Sequence, residues 1–106
     1  MATADFTIIP LGGSESASVS EILAEVKRRL ATQERVAFEM HAMGTLLQGD
    51  AADIFALVHE MSQVPFESGR PRVYTILKLD ERRDAAGRTN ADKVRAVRDR
   101  LEGARD

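Results

Sequence analysis

Few side chains in this sequence stand at spacings that support reaction chemistry. The two histidines, His41 and His59, come first, because imidazole serves both as general base and as metal ligand. Neither lies in an HExxH or DxDxDG pattern, and adjacent His59 and Glu60 would point apart on a helix. No metal site is expected, and His59 reads as a helix-surface residue. The serines cluster at Ser14, Ser16, Ser18 and Ser20, without a GxSxG elbow or a base placed to activate one. No catalytic residue is therefore expected. The stretch from Gly12 to Ser16 matches neither GxGxxG nor a P-loop, and Glu15 would repel a phosphate. With no cysteine in 106 residues, thiol nucleophiles, disulfides, zinc ribbons and Fe–S clusters are excluded. The densest charge cluster runs from Lys78 through Asp80, Arg82 and Arg83 to Asp84. It fits either a solvated strand end or an arginine reaching an acidic group across a subunit interface.

The elements that must position these groups follow from periodicity. Asp5 to Leu11 is β-rich and ends at Gly12-Gly13, with Pro10 marking a strand end or an edge. Ser18 and Glu21 have capping-box spacing, and Val19, Ile22, Leu23, Val26 and Leu30 form one helical stripe behind them. From Val36 to His41 the period changes to two, with Val36, Phe38 and Met40 opposite Glu39 and His41. Met43-Gly44-Thr45 reads as a tight turn or a bulge, followed by a short strand through Leu46 and Leu47. Asp50 is placed to cap a second helix carrying Ile54, Leu57, Val58 and Met61, which Pro65 should end. A fourth strand starts at Pro71 and runs to Asp80. Thr89 and Asp92 again have capping spacing, ahead of a last helix with Val94, Val97 and Leu101.

The order β-α-β-β-α-β-α predicts an α+β fold over residues 1–106, one ferredoxin-like domain with an additional C-terminal helix. Its four-stranded antiparallel sheet would carry two helices on one face. The other face would be left uncovered, bearing Thr7, Ile9, Glu39, His41, Tyr74, Ile76 and Lys78. Such a mixed face is either a binding surface or an oligomer interface. Composition agrees with a globular chain, 43% hydrophobic and 30% charged, with a net charge of −2. That balance gives no basic surplus for nucleic acid, and Tyr74 is the one tyrosine available for base stacking. No apolar run reaches the roughly 20 residues of a membrane-spanning helix. The start of the chain lacks a signal-peptide pattern, so a cytoplasmic location is expected. Residues 1–77 hold six basic and ten acidic groups, and residues 78–106 hold nine and seven. An acidic body with a basic end suits subunit pairing and a cationic ligand.

Three segments together resemble a known family. They are Thr7-Ile-Ile-Pro-Leu-Gly12, Met43-Gly-Thr-Leu-Leu-Gln-Gly49 and Arg72-Val-Tyr-Thr-Ile-Leu-Lys-Leu-Asp-Glu-Arg-Arg-Asp84. In this order and spacing they are similar to the small thiamine-binding protein family, over nearly the whole chain. The resemblance implies a ferredoxin-like fold, assembly to homodimers or homotetramers, and non-enzymatic binding of thiamine or its hydroxymethylpyrimidine moiety near subunit interfaces, with no cofactor. It carries over to Pro10, Gly12, Met43, Gly44, Thr45, Gly49, Lys78, Asp80, Arg82, Arg83 and Asp84. The chain departs from it at Thr7, where Ser is expected, and at Gln48, where Glu is expected. Thiamine itself asks for apolar walls, a few fixed polar groups and negative potential. Ile9, Met43, Tyr74 and Ile76 would supply walls. Thr7, His41 and Thr45 would bond the pyrimidine, and Glu39 would face the thiazolium cation. The same groups could instead seal an interface between sheets. The runner-up is an oligomeric regulatory or assembly module whose open sheet face binds another metabolite or a protein. A small enzyme acting on a thiamine precursor would lack an acid–base pair here.

Overall fold

A computed structural model of the chain describes residues 1–13, 18–84 and 90–103. The readings placed on Ser14, Glu15, Ser16 and Thr89 lie outside the described residues. The elements are β1 (Ala2–Leu11), α1 (Val19–Leu30), β2 (Ala37–His41), β3 (Gly44–Gly49), α2 (Ala51–Glu67), β4 (Arg72–Glu81) and α3 (Asn90–Gly103). The strands form one antiparallel sheet in the order β2-β3-β1-β4. This is the expected α+β arrangement.

The core lies between the sheet and two helices. Ile22, Val26 and Leu30 of α1 and Ile54, Val58, Met61 and Val64 of α2 meet Ala2, Ala4, Phe6, Ile8 and Leu47 of the central strands. Ser18 caps α1 as its spacing predicts, its Oγ accepting from the Glu21 N–H at 3.2 Å. At the other end Arg29 leaves the helix dipole's negative pole to reach Glu25 of its own helix and Glu67 of α2. That ion-pair bridge ties the two helices together outside the apolar contact. The neighbouring guanidinium groups, Arg29 first and then Arg28, hold the Glu25 carboxyl below its ordinary range.

Three element boundaries differ from the sequence reading. β1 begins at Ala2 rather than Asp5, because Ala2 and Ala4 are small enough to pass beneath α2 and are buried there. α2 does not stop before Pro65 but runs to Glu67, with Pro65 inside its last turn. Proline removes one backbone donor there, yet burial of Val64 and Pro65 favours keeping the turn. The closing carbonyls are taken up locally: Ser68 N–H and Oγ donate to both Val64 O and Pro65 O. The Arg70 N–H also reaches Pro65 O at 3.0 Å, past Gly69 at φ +95°. β3 starts at Gly44, so Gly44 and Thr45, read as part of the turn, belong to the strand.

α3 docks on the sheet through Lys93, whose Nζ donates to Thr3 Oγ1 at 2.6 Å and pairs with Asp80. Its apolar residues Val94, Val97 and Leu101 remain exposed. Among the described residues, no helix is long and apolar enough to cross a membrane.

Candidate functional site

Register assigns each strand residue to a face. Ala4 lies opposite Leu47 and Leu79, and Phe6 opposite Thr45 and Leu77, so these side chains share the helix-covered face. The alternate residues form the open face: Thr3, Asp5, Thr7 and Ile9 of β1, Glu39 and His41 of β2, and Tyr74, Ile76, Lys78 and Asp80 of β4. The expected residues share this face, but it is not wholly uncovered, since Lys93 of α3 bonds Thr3 and Asp80 on it and Thr3 is 5% exposed. Tyr74 is 53% exposed on it and Ile76 39%.

Thr45 is the exception among the proposed ligand contacts. Unlike Thr7 and His41, it faces the helices and is 5% exposed. Its pairing with Met40 and Phe6, both on the helix-covered face, turns it inward.

That inward turn helps build a cleft. The β2–β3 hairpin projects past the end of its pairing with β1, and the tip leaves a recess of about 210 Å³ against α1. Phe6, Ile8, Leu23, Val26 and Met40 form its apolar wall. Thr7, His41, Ala42, Met43, Gly44 and Thr45 form the hairpin side. The Thr7 hydroxyl donates to Met43 O at 3.2 Å and steadies the tip. Gly44 permits that closeness, since a Cβ there would stand 3.1 Å from Thr7 Oγ1 and 3.2 Å from Phe6 O. Met43 is 89% exposed at the mouth, an unbranched side chain free to close over a flat ring.

The structure therefore brings together Thr7, His41, Met43, Gly44 and Thr45, and leaves Ile9, Tyr74 and Lys78 away from the cleft on the open face. Glu39 stands between the two groups. It does not line the cleft, but its Oε1 is 3.4 Å from Nε2 of His41, which does. Residues of α1 were missed as site residues. Leu23 and Val26 belong to that helix's apolar stripe, and periodicity alone cannot separate a stripe that fills a core from one that walls a recess. Gln48 lies on the open face opposite Thr3, outside the cleft lining.

The remaining positions have structural settings. β1 pairs with β3 only as far as Phe6, so Pro10 sits where one flank has no neighbouring strand and a missing donor is tolerated. Gly12 has φ +73°, and a Cβ there would come within 2.9 Å of Pro71 Cγ. Asp80 is held below its ordinary carboxylate range chiefly by Lys93. Arg82 forms a two-pronged bond with Asp84, at 3.1 and 3.0 Å, while the largely exposed Arg83 stands 4.0 Å from Glu81. Among the described residues no group of three or more acidic or histidine side chains converges as a metal site would require.

A family model described as "Thiamine-binding protein" matches residues 4–98. The UPF0045 protein YqgV of Bacillus subtilis is 35% identical over 105 residues, covering 96% of this chain and 99% of that protein. A UPF0045 protein of Methanothermobacter thermautotrophicus is 36% identical over 102 residues, covering 95% and 100%. Among solved structures, a hypothetical protein, MJ1052, from Methanocaldococcus jannascii superposes with a TM-score of 0.76 at 32% identity, over 91% of this chain and 94% of its own. A Thermotoga maritima protein, provisionally described as one of thiamine biosynthesis or salvage, shares the fold at a TM-score of 0.70 and 19% identity, over 91% and 97%.

Proposed function

This chain belongs to the thiamine-binding protein family, and from that premise we propose that it binds thiamine or its hydroxymethylpyrimidine moiety, without transforming it, in the cleft under the β2–β3 hairpin. The observation that carries this reading is the cleft itself. It is a recess of about 210 Å³ with an apolar wall on α1 and β1 and hydroxyl and imidazole groups on the hairpin side. A flat aminopyrimidine needs that combination of apolar walls and a few fixed polar groups. Thr7, His41 and Thr45 bond the ring, and Met43 closes over it. A thiazolium extending from the ring leaves through the mouth, toward Glu39 beside His41. Binding needs no cofactor and takes place in a homo-oligomer, in the cytoplasm.

Calorimetry with thiamine and with hydroxymethylpyrimidine tests this. Binding at millimolar affinity or better is expected, and a Glu39→Ala, Thr45→Val double variant should weaken it, for thiamine more than for hydroxymethylpyrimidine. No heat with either ligand refutes the reading. A second reading is supported by the exposure of Ile9, Tyr74 and Ile76 on the open face, away from the cleft. In it the chain is a regulatory or assembly module that holds a protein or a different metabolite there. Native mass spectrometry of freshly purified protein separates the two, because it reports subunit number and retained ligand together.

A further inference from the structure

The main-chain groups of Ile8 stand apart from the rest of the sheet. In an antiparallel ladder each residue turns its N–H and C=O to one flank, and successive residues alternate flanks. The Arg82 N–H donates to Met1 O at 3.3 Å, so Met1 bonds toward β4. The register between β1 and β4 runs unbroken to Leu11. Odd-numbered residues of β1 therefore bond β4, and even-numbered ones turn toward β3. Pro10, which has no N–H, falls in the even set, where the ladder with β4 loses nothing. Ala2, Ala4 and Phe6 turn their groups to Gly49, Leu47 and Thr45 of β3, and there the pairing stops. The next even residue is Ile8. In a continued register it would face Met43, whose carbonyl takes the Thr7 hydroxyl at 3.2 Å instead. Among the described residues, the Ile8 N–H and C=O have no main-chain partner. Ile8 is nevertheless only 7% exposed, and it lines the recess under the hairpin. Peptide groups so deep are nearly always paired, so this one calls for a partner from outside the sheet.

The surroundings restrict what that partner can be. It must present an acceptor and a donor side by side, as the missing strand would. It must be flat and mostly apolar, because Phe6, Leu23, Val26 and Met40 wall the recess. Among the described residues no Lys, Arg, Asp or Glu lines it, which suits a neutral edge. We propose that the Ile8 peptide group reads the edge of a 4-aminopyrimidine ring. Its N–H donates to the ring nitrogen beside the amino-bearing carbon, and its carbonyl accepts from the exocyclic amino group. This rests on the ligand reading of the same cleft and deepens it, because it lets the site tell a 4-amino ring from a 4-oxo ring. In the deaminated ring the nitrogen carries the hydrogen and the exocyclic oxygen accepts. Its N–H then meets the Ile8 N–H, and its oxygen the Ile8 carbonyl. Turning the ring over restores the pairing but exchanges the places of its two carbon substituents. The arm that in thiamine carries the thiazolium is then driven from the mouth into the wall.

Nitrogen-15 labelling of isoleucine tests this on the full chain by amide NMR, and Ile9 is a built-in control because it faces Tyr74 in the ladder with β4. An Ile8→Val protein identifies the Ile8 signal by its disappearance. In the free protein the Ile8 amide should exchange with solvent at least about tenfold faster than that of Ile9. Saturating hydroxymethylpyrimidine should shift the Ile8 signal and slow its exchange by about tenfold, with exchange at Ile9 unchanged. By calorimetry the 4-oxo analogue of thiamine should bind at least about tenfold more weakly than thiamine, because the mismatch leaves buried groups unpaired. An Ile8 amide that exchanges as slowly as that of Ile9 in the free protein overturns the proposal, whatever binds. Hydroxymethylpyrimidine that binds without slowing Ile8, or a 4-oxo analogue that binds as well as thiamine, overturns it and leaves the proposed function standing. Absence of binding by both amino compounds overturns the two together.

Discussion

Replacing the Thr45 hydroxyl by a methyl group, Thr45→Val, asks whether this side chain serves the fold or the ligand. Thr45 faces the helix side and is 5% exposed, yet it lines the cleft. Valine has nearly its shape, so packing beside Phe6, its partner on β1, changes little. If the hydroxyl serves a ligand, its loss removes one hydrogen bond, worth about 0.5–1.5 kcal/mol net. That corresponds to an affinity about 2- to 13-fold weaker. In the free protein the same change trades a hydroxyl for a methyl at a buried site, so the melting temperature should hold or rise. The pair of readouts is what decides. Titration calorimetry gives the affinity for thiamine and hydroxymethylpyrimidine, and scanning calorimetry gives the melting temperature. Glu39→Ala supplies the complementary contrast. It should weaken thiamine by at most about fivefold, as an exposed charge does, and leave neutral hydroxymethylpyrimidine unaffected. An unchanged affinity in Thr45→Val, or a melting temperature several degrees lower, refutes the placement of the ligand against β3.

Other expectations concern the scaffold. The lowered Glu25 carboxyl stabilises the fold fully above the ordinary glutamate value of 4.5, and this contribution is lost as pH falls through the native value. The melting temperature of Glu25→Gln should therefore decline less than wild type on acidification, and an equal decline refutes the linkage. Gly12→Ala forces a Cβ into Pro71 at a left-handed backbone position. It should cost about 1–3 kcal/mol, read by urea unfolding. Lys93→Met removes the bonds that this side chain makes to Thr3 and Asp80 of the sheet. Limited proteolysis should then cut within α3 faster, with the sheet and its two covering helices intact by circular dichroism.

Sequence pattern reached the architecture because each element carries its own signal. Ser18 with Glu21, the stripe of α1, the alternation of β2 and the open face all came from local spacing and are all found. What it missed is set by tertiary context. Ala2 and Ala4 are poor strand formers whose value is their small size beneath α2. Pro65 is held in a helix by burial on one side and by Ser68 and Arg70 on the other. For the candidate site, the segments around Thr7, His41, Met43 and Gly44 could be picked out along the chain, but the inward facing of Thr45 follows from its pairing with Phe6 and Met40. The contribution of α1 needed the angle between helix and hairpin, which no periodicity encodes.

The overhang of β1 beyond β3 has an evolutionary consequence. Past Phe6 the strand runs on through Thr7 to Leu11 with β4 on one flank and no strand on the other, beside the cleft. Amide groups on that flank are part of the chain itself and persist whatever side chain is substituted. A ligand read partly by such groups tolerates wide drift in its neighbours, because the donors and acceptors it meets are not coded by residue type.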